Sequence, residues 1–114
     1  MGILSFLFGL GANAQVFQDT THFQILDVRT PDEFSVSHVE GALNIDFLNS
    51  SFQTEIQKLD KTKIYKVYCR SGNRSGQAER VMKSLGFKDV ENIGSLSNSA
   101  KRLQKSCVGK NKNC

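Results

Sequence analysis

At 114 residues, with 39% hydrophobic and 23% charged residues, the chain is long enough for one modest core and has the composition of an ordinary globular domain. Its net charge of +4 comes mostly from residues 101–114, which hold five Lys/Arg residues and no acid. No aromatic residue or groove-reading motif accompanies this basic segment, so we expect a solvated end and no nucleic-acid partner.

An apolar stretch, Ile3–Leu10, is followed by Ala12-Asn13-Ala14, which resembles a cleavage signal for export. No Lys or Arg precedes the stretch, and it is too short to span a bilayer. The pattern therefore favours an N-terminal apolar arm or short helix over residues 1–18, packed on a cytoplasmic protein. Export, with residues 1–14 removed as a signal, is the alternative.

Strands and helices alternate along the rest of the chain. Residues 23–28 are apolar and β-branched, which predicts a strand. Thr30 then supplies a helix N-cap, Pro31 the first helical residue and Glu33 the second half of a capping box. We expect this helix to be short, with Phe34 as its buried anchor.

The pattern continues in the second half of the chain. A turn at Gly41 leads into a brief strand, and apolar residues recur on one face of a helix across residues 50–59. The remaining predicted elements are a strand over 63–68, a helix over 76–85, a strand over Phe87–Ile93 and a helical stripe of Leu96, Ala100, Leu103 and Cys107. This order predicts an α/β domain with a central, mostly parallel sheet flanked by helices on both faces.

Cys69 follows a predicted strand directly and opens a short polar loop that leads into a helix. The first-turn N–H groups of such a helix lack partners within it and, with the helix dipole, favour an anion in the loop. A cysteine held there is shifted towards thiolate, the nucleophilic form. Gly72 permits the sharp turn, Arg70 adds positive charge, and Arg74 could clamp an oxyanion through two hydrogen bonds. We expect the sulfur at the bottom of an accessible bowl of inward-facing amides.

Three blocks of the sequence resemble a single-domain rhodanese: Asp27–Phe34, His38–Ile45 and Cys69–Ser75. They occur in the order of that family and at its usual separations, so we assign residues 19–106 to one rhodanese-like domain. The resemblance implies a compact α/β domain and a sulfurtransferase. Such an enzyme takes sulfane sulfur from thiosulfate or a similar donor onto Cys69 and passes it to a thiophilic acceptor such as cyanide or a thiol.

The chemistry of the loop agrees with this implied activity. Attack of the Cys69 thiolate on the outer sulfur of the donor would leave a persulfide that the loop N–H groups stabilise, while Arg70 and Arg74 orient the anionic donor. The hydroxyls of Ser71 and Ser75 could donate to the persulfide, and Ser75 could also cap the helix. Gly72 and Asn73 complete the predicted anion cradle. No metal or organic cofactor is required.

Two alternatives to this activity are open. Related phosphatases and arsenate reductases resemble the same layout with five residues between cysteine and arginine, whereas four separate Cys69 from Arg74, which favours sulfur transfer. A non-catalytic rhodanese-like module, acting as a binding or sulfur-carrying partner, is an alternative of another class. The presence of Cys69 with a complete loop favours the enzyme.

The cysteines number three, and none forms a C-x-x-C pair. This count predicts neither a disulfide scaffold nor a zinc site and favours a reducing compartment. We expect Cys107 as buried packing on the last helix and Cys114 as an incidental residue of a flexible basic tail over 107–114. A relay of sulfur from Cys69 to Cys114 is a minor alternative.

Asp27 and Arg29 follow the first strand and are expected to support the loops through hydrogen bonds and ion pairs, with substrate contact by Arg29 a minor alternative. His38 is expected in a structural turn, and His22 at the surface. The expected partners are a thiosulfate-like donor and a thiol or cyanide acceptor, with a protein acceptor as an alternative. No membrane span is expected, and a monomer is the default.

Overall fold

The computed structural model describes residues 22–114, so the predicted N-terminal arm lies outside the described residues. The elements in chain order are β1 Gln24–Asp27, α1 Pro31–Val36, β2 His38–Val39, β3 Leu43–Asn44, α2 Phe52–Ile56, β4 Ile64–Cys69, α3 Asn73–Ser84, β5 Asp89–Ser95, α4 Leu96–Leu103 and β6 Cys107–Val108. None of the helices in this part of the chain is long and apolar enough to cross a bilayer.

Four strands form a parallel sheet in the order β3-β1-β4-β5. The two short strands β2 and β6 form a separate antiparallel pair. Because β1 and β4 are parallel neighbours with Asp27 opposite Tyr68, their carboxyl ends meet at one edge of the sheet. The predicted central parallel sheet is confirmed, and it brings the end of β1 beside Cys69.

Side chains on opposite faces of the sheet build two cores. Leu26 and Val67 face a cluster closed by α2 and α3, whereas their chain neighbours Ile25 and Tyr68 face a second cluster closed by α4 and the small sheet. Successive residues of a strand point to opposite faces, so each strand contributes to both clusters. The expectation of helices on both faces is confirmed.

Helix α1 begins as its sequence predicts. Thr30 caps it, with the Glu33 N–H donating to Thr30 Oγ1 at 3.3 Å and the Thr30 N–H donating to Glu33 Oε1 at 3.0 Å, and Pro31 is the first helical residue. The prediction of a buried Phe34 is wrong: the helix has no buried residue, and the Phe34 ring stacks on His38 with the ring centroids 3.6 Å apart. Phe34 packs on the neighbouring His38 ring and is only partly covered, so it does not reach either core cluster.

The segment after α4 departs from the prediction. The helix ends at Leu103, and Gln104 has a left-handed backbone with a φ of 54°, so the chain turns away before Cys107. Cys107 lies in β6 and is bonded to Cys114, which makes the expectations of a free Cys107 on a helical stripe and of an incidental Cys114 wrong. The odd number of cysteines did not predict this disulfide, because the unpaired cysteine is Cys69, which is free. The divisions after residues 18 and 106 stay predictions.

Candidate active site

Cys69 ends β4, and the loop after it turns back over its sulfur. The Gly72 N–H donates to Cys69 Sγ at 3.0 Å, and the Ser75 hydroxyl lies 3.4 Å from the same sulfur. Gly72 has a left-handed backbone with a φ of 99°, and a Cβ there would stand 3.5 Å from the Cα of Gly94. Glycine is therefore needed for the left-handed turn, whereas the approach to β5 is an ordinary van der Waals distance. The predicted inward-facing amides are present.

Two opposing effects act on the Cys69 thiol. Burial raises its pKa, because the thiolate is poorly solvated there. Hydrogen bonds from Ser75, through its hydroxyl and its backbone N–H, and from the backbone N–H groups of Ser71 and Gly72 lower it. The hydrogen bonds outweigh burial, so the pKa of Cys69 is lower than that of an ordinary thiol. These hydrogen bonds therefore favour the nucleophilic thiolate form.

The sulfur is not accessible in the way that the sequence predicts. Cys69 has no exposed surface and belongs to the core cluster that contains Val28 and Val67. The expectation of an open bowl is wrong because the loop closes tightly enough to bring its donors into hydrogen-bonding range of the sulfur. Next to Cys69 in the chain, Arg70 and Ser71 are exposed. The sulfur thus lies directly beneath a surface loop.

Asn92 supports the loop from β5, a role that no local sequence pattern indicates. Its side-chain N–H donates to the Gly72 carbonyl at 3.1 Å, and its Oδ1 accepts the Ser75 hydroxyl at 2.7 Å. A hydroxyl carries one proton, so Ser75 donates either to Asn92 or to the Cys69 sulfur at any moment. Ser75 is fully buried within α3, which begins at Asn73, so its predicted role as helix cap is wrong.

Arg74 is engaged by a carboxylate. Its guanidinium donates to the two oxygens of Glu33 at 2.8 and 3.1 Å. The hydrogen bond from Arg74 is the main reason that the pKa of Glu33 falls to about 2. Arg74 is thus occupied by Glu33 in this structure, and its role as an oxyanion clamp stays a prediction. The capping box accounts for the local role of Glu33, but no local pattern predicts its pairing with Arg74, which lies 41 residues along the chain.

Arg70 has no hydrogen bond or ion pair with any residue in the described range 22–114. It lines a pocket of about 430 Å³ at the carboxyl edge of the sheet. Others around this pocket are Arg29, Glu33, Ser97, Asn111 and Cys114. Of the predicted cradle, Asn73 is also exposed and bonds only to Gln77, whose side-chain N–H donates to it at 3.0 Å. The predicted anion cradle thus has two parts: Gly72 and Ser75 face the Cys69 sulfur, whereas Arg70 is exposed.

Asp27 and Arg29 form a buried ion pair beside the loop, as the sequence predicts. Arg29 donates to both Asp27 oxygens and to the Ser37 carbonyl, with its shortest contacts at 2.6 Å. The Tyr68 hydroxyl donates to the same carboxylate at 2.8 Å and accepts the Val39 N–H at 3.0 Å. Burial, followed by the charge of Asp27, raises the pKa of Tyr68. These hydrogen bonds hold Tyr68, the residue before Cys69, in place.

The site and the fold together agree with the results of three comparisons. A family model described as "Rhodanese-like domain" matches residues 13–103. The chain belongs to the rhodanese-like family. It is 37% identical over 75 residues to thiosulfate sulfurtransferase PspE of Escherichia coli, covering 66% of this chain and 72% of that protein.

Further relatives share the same fold and related descriptions. The chain is 32% identical to a thiosulfate:glutathione sulfurtransferase of Saccharomyces cerevisiae and to a putative sulfur carrier protein of Bacillus subtilis, covering 58% and 74% of this chain. It spans only 55% and 44% of the lengths of those two relatives. A solved structure described as a rhodanese with anions from E. coli superposes with a TM-score of 0.64 at 33% identity, covering 77% of this chain and 99% of that one.

Proposed function

We propose that this rhodanese-like protein is a sulfurtransferase that carries sulfane sulfur as a persulfide on Cys69. The observation that supports this most is the pair of donors directed at one sulfur, the Gly72 N–H and the Ser75 hydroxyl, at the start of α3. They lower the pKa of Cys69 despite its burial. Thiosulfate is the proposed donor, because two relatives are named for its transfer.

The reaction has two transfers. In the first, the Cys69 thiolate attacks the outer sulfur of thiosulfate, the S–S bond of the donor breaks, and sulfite leaves with the bonding electrons. In the second, a thiol or cyanide takes the outer sulfur from the persulfide and restores the thiolate. The Gly72 N–H faces the anionic sulfur throughout, and Ser75 turns its proton towards that sulfur as negative charge develops.

Donor access requires the surface loop to move, because Cys69 has no exposed surface. Arg70 and Ser71 are exposed and precede the glycine turn, so a shift of these residues would uncover the sulfur from the side of the 430 Å³ pocket. Arg70 is the proposed first contact for the donor, since Arg74 is bound to Glu33. The same pairing removes the arginine that a tetrahedral phosphate would need, which disfavours a phosphatase.

A non-catalytic sulfur carrier is the second candidate, and the complete burial of Cys69 favours it. Such a module would hold a persulfide delivered by another protein, as the name of the B. subtilis relative suggests for that protein. The two candidates differ in whether the free chain turns over. An enzyme produces thiocyanate repeatedly from thiosulfate and cyanide, whereas a carrier does not load from thiosulfate alone.

The test is thiocyanate formation by the wild-type protein and by Cys69→Ser, together with intact mass after thiosulfate treatment. We expect turnover only in the wild type, and a gain of about 32 Da that maps to the peptide containing Cys69. Equal turnover in both proteins would remove Cys69 from the mechanism. Loading from a persulfidated protein but not from thiosulfate would identify the carrier instead.

We propose the cytoplasm as the location, with export as the alternative. The Cys107–Cys114 disulfide removes the earlier argument from unpaired cysteines, because a permanent disulfide requires an oxidising compartment. A disulfide that opens and closes during turnover is compatible with the cytoplasm. Trapping thiols in intact cells distinguishes the two: a fully oxidised pair indicates export, and a largely reduced pair indicates the cytoplasm.

A further inference from the structure

We propose that Cys107 and Cys114 are a redox-active dithiol that takes the sulfane sulfur from Cys69 and releases it as sulfide. The disulfide in the structure is the oxidised product of that reaction. The inference rests on the proposed persulfide of Cys69 and adds an activity to it, the reductive cleavage of thiosulfate to sulfite and sulfide within one chain.

The first support is the placement of Cys114. Cys114 is exposed and lines the same pocket as Arg70, the residue that directly follows Cys69. If the loop opens on this side, the persulfide emerges into the pocket that Cys114 faces. A disulfide remote from the site would share no such space with the loop.

The second support is the asymmetry of the pair. Cys107 is buried and fixed in β6, where it lies opposite Val39. The Val39 N–H donates to the hydroxyl of Tyr68, which immediately precedes Cys69. Val39 thus connects Cys107 to the end of β4. Cys114, in contrast, is an exposed sulfur of the kind that external thiols reach. One cysteine is thus fixed and the other can be reduced and moved.

The third support is the path of the segment between them. Its backbone N–H groups at Lys110 and Asn111 donate to Ser35 and Val36 at the end of α1, at 3.1 and 2.8 Å. A Cβ at Gly109 would stand 2.8 Å from the Val36 carbonyl oxygen, so only glycine fits this approach. The segment is therefore seated on the wall of the pocket. When the disulfide opens with these contacts kept, the three residues after Asn111 can extend to about 10 Å, provided that the hydrogen bond from the Ser37 hydroxyl to the Asn113 carbonyl is released.

The reaction balances with two thiols as the reductant. The Cys114 thiolate attacks the outer sulfur of the Cys69 persulfide, so the S–S bond at Cys69 breaks, Cys69 leaves as thiolate and a persulfide forms on Cys114. The Cys107 thiolate then attacks Cys114 Sγ, forming the disulfide and expelling hydrosulfide. The dithiol loses two electrons, and the sulfane sulfur gains them. An external dithiol reductant reopens the disulfide for the next cycle.

The experiment is a single turnover of the full chain without external reductant. The protein is reduced, desalted under anaerobic conditions and mixed with stoichiometric thiosulfate, and sulfite, sulfide and intact mass are measured. We expect reduced wild type to release sulfite and sulfide in equal amounts and to finish with the Cys107–Cys114 disulfide and an unmodified Cys69. The rate constant for sulfide release, taken from its lag behind sulfite release, should be unchanged by about tenfold dilution, because the acceptor is tethered.

Two controls isolate the dithiol. Wild type that was never reduced has the same fold and the disulfide already formed, and Cys114→Ser removes only the exposed sulfur. Both should release sulfite as the reduced wild type does but retain about 32 Da on Cys69 and release no sulfide. In Cys107→Ser, the sulfur should move to Cys114 and remain there.

The outcomes separate the two proposals. Sulfite release with the sulfur retained on Cys69 in reduced wild type would overturn the dithiol and leave the sulfurtransferase intact. Sulfide release that persists in Cys114→Ser, or whose lag behind sulfite release lengthens in proportion to dilution, would also overturn it. Failure of every form to release sulfite would overturn both.

Discussion

Two arginine–carboxylate pairs lie near the Cys69 loop, and they differ in burial. Arg29 and Asp27 are almost completely inaccessible, with 6% and 0% of their side chains exposed, whereas Arg74 and Glu33 retain 20% and 28%. The first pair is shared with Tyr68 and the Ser37 carbonyl, so its charges are surrounded by partners. The second joins α3 to α1 with water still in reach.

The difference shows how each pair contributes. A buried pair costs a large desolvation, so its net contribution is small while it is intact but the loss of one member is severe. A half-exposed pair contributes less, and its contribution follows the ionisation of the carboxylate. Both arginines are occupied by these structural contacts. Arg70 has no such contact among residues 22–114, so its charge is available to an incoming anion.

The largest effect is expected from Asp27→Asn, which leaves the Arg29 charge buried without its counter-charge. We expect the free energy of unfolding to fall by about 3–5 kcal/mol. Asp32→Asn is the matched control, since Asp32 is exposed in the first turn of α1 and should cost below about 1 kcal/mol. Urea denaturation of both variants measures the difference, and equal losses would contradict the comparison.

Glu33→Gln should have the next largest effect. It removes the charge that binds Arg74 while an amide oxygen can still complete the capping box, so we expect a loss of about 2 kcal/mol at neutral pH. Glu55→Gln breaks an exposed pair with Lys58 and should cost about 0.5 kcal/mol or less. If the two losses measured by denaturation are the same, the Arg74 contact is only a surface ion pair.

Acid should remove the same contribution from the wild type. The pKa of Glu33 is lowered from 4.5 to about 2 in the folded protein, chiefly by the hydrogen bond from Arg74. The stabilisation is thus complete above about pH 4.5 and is lost as the pH falls through about 2. Denaturation curves of wild type and Glu33→Gln should therefore converge over this range. A constant difference between them would show that ionisation of Glu33 is not involved.

Arg70→Ala should have the smallest effect, and only on catalysis. Its side chain has no partner in the part of the chain that the structure describes, so stability should not change. We expect the KM for thiosulfate to rise by about 3- to 10-fold with kcat little altered, because an exposed charge contributes about 1 kcal/mol to binding an anion. Lys101→Ala, an exposed cation on α4, is the control and should leave KM unchanged.

The features that the sequence predicted well are those encoded within a few residues. The capping box of Thr30 and Glu33, the alternation of strands and helices, and the position of Cys69 between β4 and α3 are local patterns. Each follows from residue types at short spacing. The parallel sheet follows from their order along the chain.

The features that were missed depend on residues brought together by folding. Arg74 meets Glu33 across 41 residues, and Asn92 reaches the loop from the edge strand β5. The closure of the loop over Cys69 and the pairing of Cys107 with Cys114 likewise depend on the paths of backbone segments. Propensity and spacing carry no information about such contacts, and an asparagine in a strand gives no warning of its role.

The strand order also affects when the site around Cys69 forms during folding. The central strands β1 and β4 place Gln24 opposite Tyr65, so they join only after a long intervening segment has been closed, and such non-local pairings slow folding. Until these strands pair, β4 and the N-terminal end of α3 are not held in place. During that time Cys69 reacts as any thiol of an unstructured chain would. For that interval after synthesis, the residue is exposed to oxidants and to the other two cysteines of its own chain.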